Sequence, residues 1–495
     1  MRNLTLLTDF YQLTMMYGYF KNRKNRRFVF DLFYRKNPFG NGFAIFTGLE
    51  QVIEYIQNLK FTEEDLAYIQ LQGFQDAEFI EYLRNFKFKG NLHAVPEGTA
   101  VFPSEPLIRV EANEIEAQLI ETALLTIINH QTLIATKASR IREAAGDDIV
   151  MEFGLRRAQG PDAGLYGSRA AFIGGCNSTS NVLAGKEFGI PVKGTMAHSW
   201  VMSFDTELEA FRTYAKLYPD NCVLLVDTYD TEKSGIPNAI KVFQEMMNAG
   251  IIEQDYYYDD YRYPEHKPLP VFGIRLDSGD LAYLSKIARE MLVEAGFPHS
   301  VISVSNDLDE NIIISLKQQG ARVKIWGVGT KLITADGCPS LGGVYKLAAE
   351  IVDNKLIPKI KISENFEKIT NPGIKQVYRI FDKKGMISAD LITLEDEKFD
   401  SSEVLFLRDE LHPWKRIKLQ PGEYQIKPLL EPIFENGILV YQKPTINEIK
   451  LNAKANLKTL YDGYKRLINP SKMKVDLSDK LYDLKKDLLF QNKFN

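Results

Sequence analysis

The stretch LPVFGIRLDSGDL, Leu269 to Leu281, passes from an apolar run to a cluster of charge and then into a helical pattern. The apolar part is short enough for a strand buried on both faces, and the charges fall where such a strand ends. From residue 148 onward the same unit recurs six times, with apolar runs ending at DIVMEFGLRR, IPVKGTMAHS, CVLLVDTYDT, LPVFGIRLDSGD, VISVSNDLD and KIWGVGTKL. Helical stretches intervene, clearest at Ile236 to Ala249 and Leu281 to Ala295, each followed by a glycine, Gly250 and Gly296, in the stop position. Repeated strand–helix units predict parallel strands with helical crossovers. Every run ends in polar residues, which favours an α/β barrel over an open sheet, because a barrel gathers all its strand ends on one face.

Around this centre the chain reads as three parts: residues 1–147, an α+β part with a long connecting helix; 148–347, the barrel; and 348–495, β-rich and lysine-rich with a helical tail. In the first part Asp9 to Phe20 has helical spacing and RFVFDLFYR, Arg27 to Arg35, is β-prone. Thr62-Glu63-Glu64-Asp65 opens a helix with a capping box in which aspartate replaces the usual glutamate. Short strands are expected around Pro96 and Pro103, then a long helix from Glu114 to Ala145. The third part carries KLIPKIKIS and KQVYRIFDKKG, read as sheet edges guarded by lysine.

Composition narrows the function. At 495 residues, 45% hydrophobic and 25% charged, the chain has the balance of a globular protein with a large core. A net charge of −4 offers no general attraction to nucleic acid. Three cysteines without CxxC spacing argue against a disulfide framework and a structural zinc site. Asp9 interrupts the N-terminal apolar residues and no run reaches the length of a membrane span, so a cytoplasmic protein is expected.

The strand ends then supply the chemistry. Arg156, Arg157, Arg275 and Lys331 are cations suited to phosphate or carboxylate; Asp227, Asp230, Asp277, Asp280 and Asp307 are acceptors suited to sugar hydroxyls or Mg²⁺. Both signs together suit a phosphorylated ribose. In WGVGTKL, Gly327 and Gly329 would let backbone N–H groups approach an anion, with Thr330 adding a hydroxyl. Arg275 and Asp277, two residues apart, form either a functional pair or a plain salt bridge. His198, one of six histidines, has no second ligand at zinc spacing; it is a structural histidine, a general base or a nucleophile toward phosphoryl groups, and residue chemistry by itself leaves these open.

Taken in order, TDFYQLTMMYGYF, MEFGLRRAQGPDAGLYGSRAA, NSTSNVLAGKEFGIPVKGTMAHSWV, VDTYDT, GIRLDSGDL and GVGTKL closely resemble the nicotinate phosphoribosyltransferases, from Thr8 to about Ala349. The resemblance implies an irregular barrel joined to an N-terminal α/β domain, working as a cytoplasmic homodimer with sites at the subunit interface. It implies a ligase-class reaction in which nicotinate and 5-phosphoribosyl-1-pyrophosphate give nicotinate mononucleotide and pyrophosphate, coupled to ATP hydrolysis with Mg²⁺ carried on the substrate phosphates. By the same resemblance His198 is phosphorylated by ATP; Tyr11 stacks on the pyridine from across the dimer, with Phe153 on its other face; Thr195 and Arg275 bind substrate anions; Gly329 and Thr330 hold the ribose phosphate; and Asp227 and Asp277 serve ribose hydroxyls or Mg²⁺. Ser180 stands where nicotinamide-specific relatives carry an aspartate, which favours the acid over the amide. The competing expectations are a nicotinamide phosphoribosyltransferase and a non-catalytic barrel that senses a nucleotide or phosphosugar.

Overall fold

The structure, a computed structural model, describes residues 3–22, 26–252, 271–410, 412 and 414–491. Leu269 and Pro270, expected at the head of one strand, lie outside the described residues. The chain closes into two compact units, Lys137–Gly337 and the pair Met1–Thr136 with Cys338–Asn495. The expected three successive parts are therefore arranged differently, with the first and last sharing one unit.

Unit Lys137–Gly337 is built on a six-stranded sheet whose strand pairs, among the described residues, are all parallel: Ser178–Thr179, Ile149–Glu152, Ile325–Val328, Val301–Ser305, Val271–Leu276 and Asn221–Leu225, in that spatial order. The first long strand pairs with the last, Ile149 opposite Ile325 and Glu152 opposite Val328, so the sheet is curled into a partial barrel rather than laid out in chain order. One seam stays open, between Ser178–Thr179 and Asn221–Leu225. Five of the six strands contribute inward apolar side chains: Ile149, Val223, Val301 and Ile325 are buried together, with Met151 and Val271 packed on them. This explains the continuous apolar runs, since helices such as Ile236–Asn248 and Leu281–Glu294 cover the other face. Gly250 and Gly296 follow these helices at φ 67° and 90°, the left-handed conformation that stops a helix at little cost in glycine.

One expected strand is absent. In IPVKGTMAHS only Val192 bridges the sheet, to Thr179, and the chain then leaves the barrel wall. Pro191 has no N–H to donate to a ladder, and the wall is instead supplied by Ser178–Thr179. Asn221 Nδ2 donates to Gly194 O at 3.4 Å across the open seam.

In the other unit Arg26–Phe33 is an interior strand, antiparallel to both Ile108–Asn113 and Val344–Val352, while Asn91–Ala94 pairs with Glu431–Glu435. Residues from the two ends of the chain thus interleave in one seven-stranded sheet. The helix Glu63–Leu71 begins as read: Thr62 accepts from Asp65 N–H and the Asp65 side chain accepts from Thr62 N–H, so aspartate closes the box. The long helical stretch is broken once, into Glu114–Leu119 and Glu121–Ala145. The lysine-rich segments divide. Lys355–Pro358 is an exposed edge strand, but Lys375 is buried, with its ammonium 2.7 Å from Asp31, so it is an internal ion pair and not an edge guard. Among the described residues no helix is long and apolar enough to cross a membrane.

Candidate active site

The carboxyl ends of the barrel strands converge on Arg275. Its strand buries Ile274 and Leu276 completely, and alternation turns Arg275 toward the barrel interior. There Arg275 Nη2 donates to Asp277 Oδ1 at 2.9 Å, Nε to Ser305 Oγ at 2.9 Å, and Nη1 to Thr195 Oγ1 at 3.0 Å and Met196 O at 3.2 Å. Two strand ends and the loop after Val192 are tied to one guanidinium. Ser305 also donates to Asp277 Oδ1. Burial acts to raise the Asp277 carboxyl, but the Ser305 hydroxyl, Arg275 and His198 together hold it below the usual carboxylate range.

His198 begins the short helix His198–Met202. Its Nδ1 lies 3.1 Å from Thr228 Oγ1 and its Nε2 lies 3.8 Å from Asp277 Oδ2, too far for a hydrogen bond and close enough for charge to be felt. Trp200, two residues on, packs at a tilt on Phe204 and edge-on to Tyr214 and donates its indole N–H to Ala210 O, so the helix is anchored on Glu207–Leu217. Asp227 is spent differently from the other carboxylates: its Oδ2 accepts from Asp277 N–H and Ser278 Oγ, both at 2.7 Å, while Oδ1 is buried with no hydrogen-bond partner.

Other expected residues fall into place unequally. Phe153 and Thr195 line a cavity inside the barrel with Arg275, Met151, Val223 and Ile325. Gly327 lies within a strand, where an added Cβ would stand 2.7 and 2.8 Å from Phe153 ring carbons; its lack of a side chain makes room for that ring. Gly329 and Thr330 start a one-turn helix at the end of that same strand, both half-buried. Ser180 N–H donates to Glu152 O at 3.0 Å beside the same mouth. Arg156 and Arg157 sit exposed on the turn Leu155–Arg157. Lys331 pairs with Asp309 at 3.1 Å, whereas Asp230 and Asp280 cap the segments that follow them. Tyr11 belongs to the other unit, exposed on the helix Phe10–Asn22.

Residue reading missed four participants, Ser305, Thr228, Glu152 and Asn306. Ser305 and Thr228 are hydroxyls whose importance comes from what stands opposite them. Glu152 is fully buried and accepts from Gly154 N–H, Ser168 Oγ and Thr179 Oγ1, which ties the Phe153 strand end to its neighbours. Asn306 and the expected Asp307 adopt φ of 101° and 28°, strained conformations for non-glycine residues placed directly after Ser305. Their sequence, SNDL, carries no signal of this beyond the known tolerance of Asn and Asp for such backbone.

Comparison with known proteins agrees with this architecture. Three family models match: the nicotinate phosphoribosyltransferase N-terminal domain over residues 6–129, the nicotinate phosphoribosyltransferase family over 149–379, and the nicotinate phosphoribosyltransferase C-terminal domain over 374–485. The chain is 48% identical over 479 residues to nicotinate phosphoribosyltransferase of Bacillus subtilis, covering 96% of this chain and 93% of the relative. The chain belongs to the nicotinate phosphoribosyltransferase family. A Caenorhabditis elegans member of that family is 38% identical, with 98% of this chain and 93% of the relative covered. The crystal structure of human nicotinic acid phosphoribosyltransferase superposes with a TM-score of 0.83 at 29% identity, covering 97% of this chain and 99% of that one. The family match extends into the C-terminal part, beyond the motif resemblance that ends near Ala349.

Proposed function

We propose that this protein is an ATP-coupled nicotinate phosphoribosyltransferase, the step that admits nicotinate to NAD synthesis. The observation that carries the reading is the convergence of His198, Asp277 and Arg275 at one barrel mouth, in a chain so similar to enzymes of that name. In the reaction the pyridine nitrogen attacks C1 of 5-phosphoribosyl-1-pyrophosphate, the C1–O bond breaks and pyrophosphate leaves. Positive charge develops on the sugar, and the ionised Asp277 is suited to stabilise it. Phe153 offers an aromatic face to the pyridine, Thr195 and Arg275 donors to its carboxylate, and Ser180 keeps a second carboxylate away from it. Gly329 and Thr330 offer donors to the ribose phosphate, and Arg156 an exposed cation on the turn after the neighbouring strand.

ATP enters through His198. Attack of an imidazole nitrogen on the γ-phosphorus forms an N–P bond and expels ADP, and water later cleaves that bond to release phosphate. Mg²⁺ would arrive on the substrate phosphates, where it would neutralise negative charge. The buried free Oδ1 of Asp227 is the oxygen of this chain best suited to reach it or a ribose hydroxyl. A cytoplasmic homodimer in which Tyr11 stacks on the pyridine of the partner's site completes the reading.

The test offers nicotinate, nicotinamide and quinolinate side by side, with and without ATP. Nicotinate should be used far better than the others, and ATP should raise its conversion. Label from γ-labelled ATP should appear on the protein as an acid-labile, base-stable bond and vanish in His198→Asn. Equal or better kcat/KM for nicotinamide, or label retained by His198→Asn, would overturn the corresponding part.

A further inference from the structure

Arg275 is the evident cation for a pyridine carboxylate, yet its charge is already met. Its Nη2 is paired with Asp277 at 2.9 Å, and Nε and Nη1 are engaged by Ser305, Thr195 and Met196. The Arg275–Asp277 pair is neutral overall, and an incoming carboxylate that gains the guanidinium also meets the Asp277 oxygens. Directional donors remain, but hydrogen-bond donors alone also serve an amide oxygen. The pair therefore gives little electrostatic reason to prefer the acid.

Lys193 differs in this respect. It lines the same cavity, two residues before Thr195, where the chain leaves its bridge at Val192 and runs along the open seam toward Asn221. Its backbone is held, with its N–H donating to Thr179 O at 3.0 Å. Among the described residues no acidic group pairs with its ammonium. The described lining of the cavity holds two cations, Lys193 and Arg275, and no carboxylate.

We infer that Lys193 is a specificity-determining residue whose uncompensated ammonium at the barrel seam selects a carboxylated pyridine over the corresponding amide. The inference rests on the transferase reading above and adds the source of its acid preference. A fixed positive charge attracts an anion and is nearly indifferent to a neutral amide. Because Lys193 is solvent-exposed, the attraction is screened by salt over about 10 Å at 0.1 M. An ammonium demands no planar geometry, so arginine at this position should serve in its place.

The experiment uses the full chain with Lys193→Gln and Lys193→Arg. It measures kcat/KM for nicotinate at low and high salt, and the calorimetric affinities of nicotinate and nicotinamide. Lys193→Gln should lower kcat/KM for nicotinate about threefold to tenfold, through KM, as for a partly exposed charge pair. It should flatten the salt dependence and leave nicotinamide affinity unchanged, and Lys193→Arg should keep most of the acid preference. An unchanged acid-to-amide affinity ratio in Lys193→Gln, or equal losses for both ligands, would overturn the inference. If wild-type protein binds nicotinate without turning it over, the transferase reading fails, while the affinity ratio still decides the role of Lys193.

Discussion

Removal of one hydroxyl gives a sharp test of how the site is held. Ser305 is buried, accepts from Arg275 Nε at 2.9 Å and donates to Asp277 Oδ1, so Ser305→Ala deletes two hydrogen bonds to charged groups with almost no change of volume. Each such bond contributes about 1.5–3 kcal/mol in a protein interior. Water can replace part of this, because the Asp277 side chain is 31% exposed and that of Arg275 16%. A loss of about 1.5–3 kcal/mol in all is therefore expected, or about tenfold to hundredfold in kcat/KM for ribosyl transfer. The pH dependence carries the diagnostic sign. Burial raises the Asp277 carboxyl and Ser305 heads the groups that lower it, so the variant should protonate at higher pH. The acid limb of the kcat/KM profile should move upward, toward neutral. Because the folded-state value of Asp277 is depressed, its contribution to stability is present above its unfolded value and lost as pH falls through the folded one; the variant should lose that contribution earlier on acidification. Steady-state kinetics from pH 4 to 8, with thermal unfolding over the same range, measure both. A normal kcat/KM with an unmoved acid limb would refute the assignment of Ser305 as the link between Arg275 and Asp277.

Gly327→Ala should destabilise the protein by about 1–3 kcal/mol in denaturant unfolding, since its Cβ would stand 2.7 Å from the Phe153 ring, and should raise KM for nicotinate by displacing that ring. Wild-type stability with an unaltered KM would count against Gly327 as the space that seats Phe153. Asp476 is pushed up to about 6, first by burial and then by Asp409, so its folded-state value lies above the unfolded one and its charged form costs stability at neutral pH. Asp476→Asn should therefore stabilise the fold by about 2–3 kcal/mol at pH 8, with the advantage fading as pH falls from 6 toward 4. A benefit independent of pH would exclude the titration as its source.

Local features of this chain were legible because each residue's neighbours in sequence determine them. The apolar runs at 222–226 and 301–305 declare strands buried on both faces, Thr62 and Asp65 declare a helix start, and Gly250 and Gly296 declare stops. The parallel barrel follows from their repetition, and His198, Arg275 and Asp277 were visible as charges gathered at strand ends. The exception, IPVKGTMAHS, shows the limit: its apolar start resembles a strand, but Pro191 and the seam leave it a single bridge. Tertiary structure alone decided which distant segments meet. Nothing local in Arg26–Phe33 announces that it pairs with Val344–Val352, more than 300 residues away, because an edge presents the same backbone donors and acceptors to any partner strand. The same holds for charge. Lys375 and Lys193 are both lysines in apolar surroundings of sequence, yet folding sets one against Asp31 and leaves the other without an acidic partner among the described residues. Whether a charge is spent or available depends on what stands within a few ångströms in space, where Coulomb energy is decided, and sequence separation does not enter that distance.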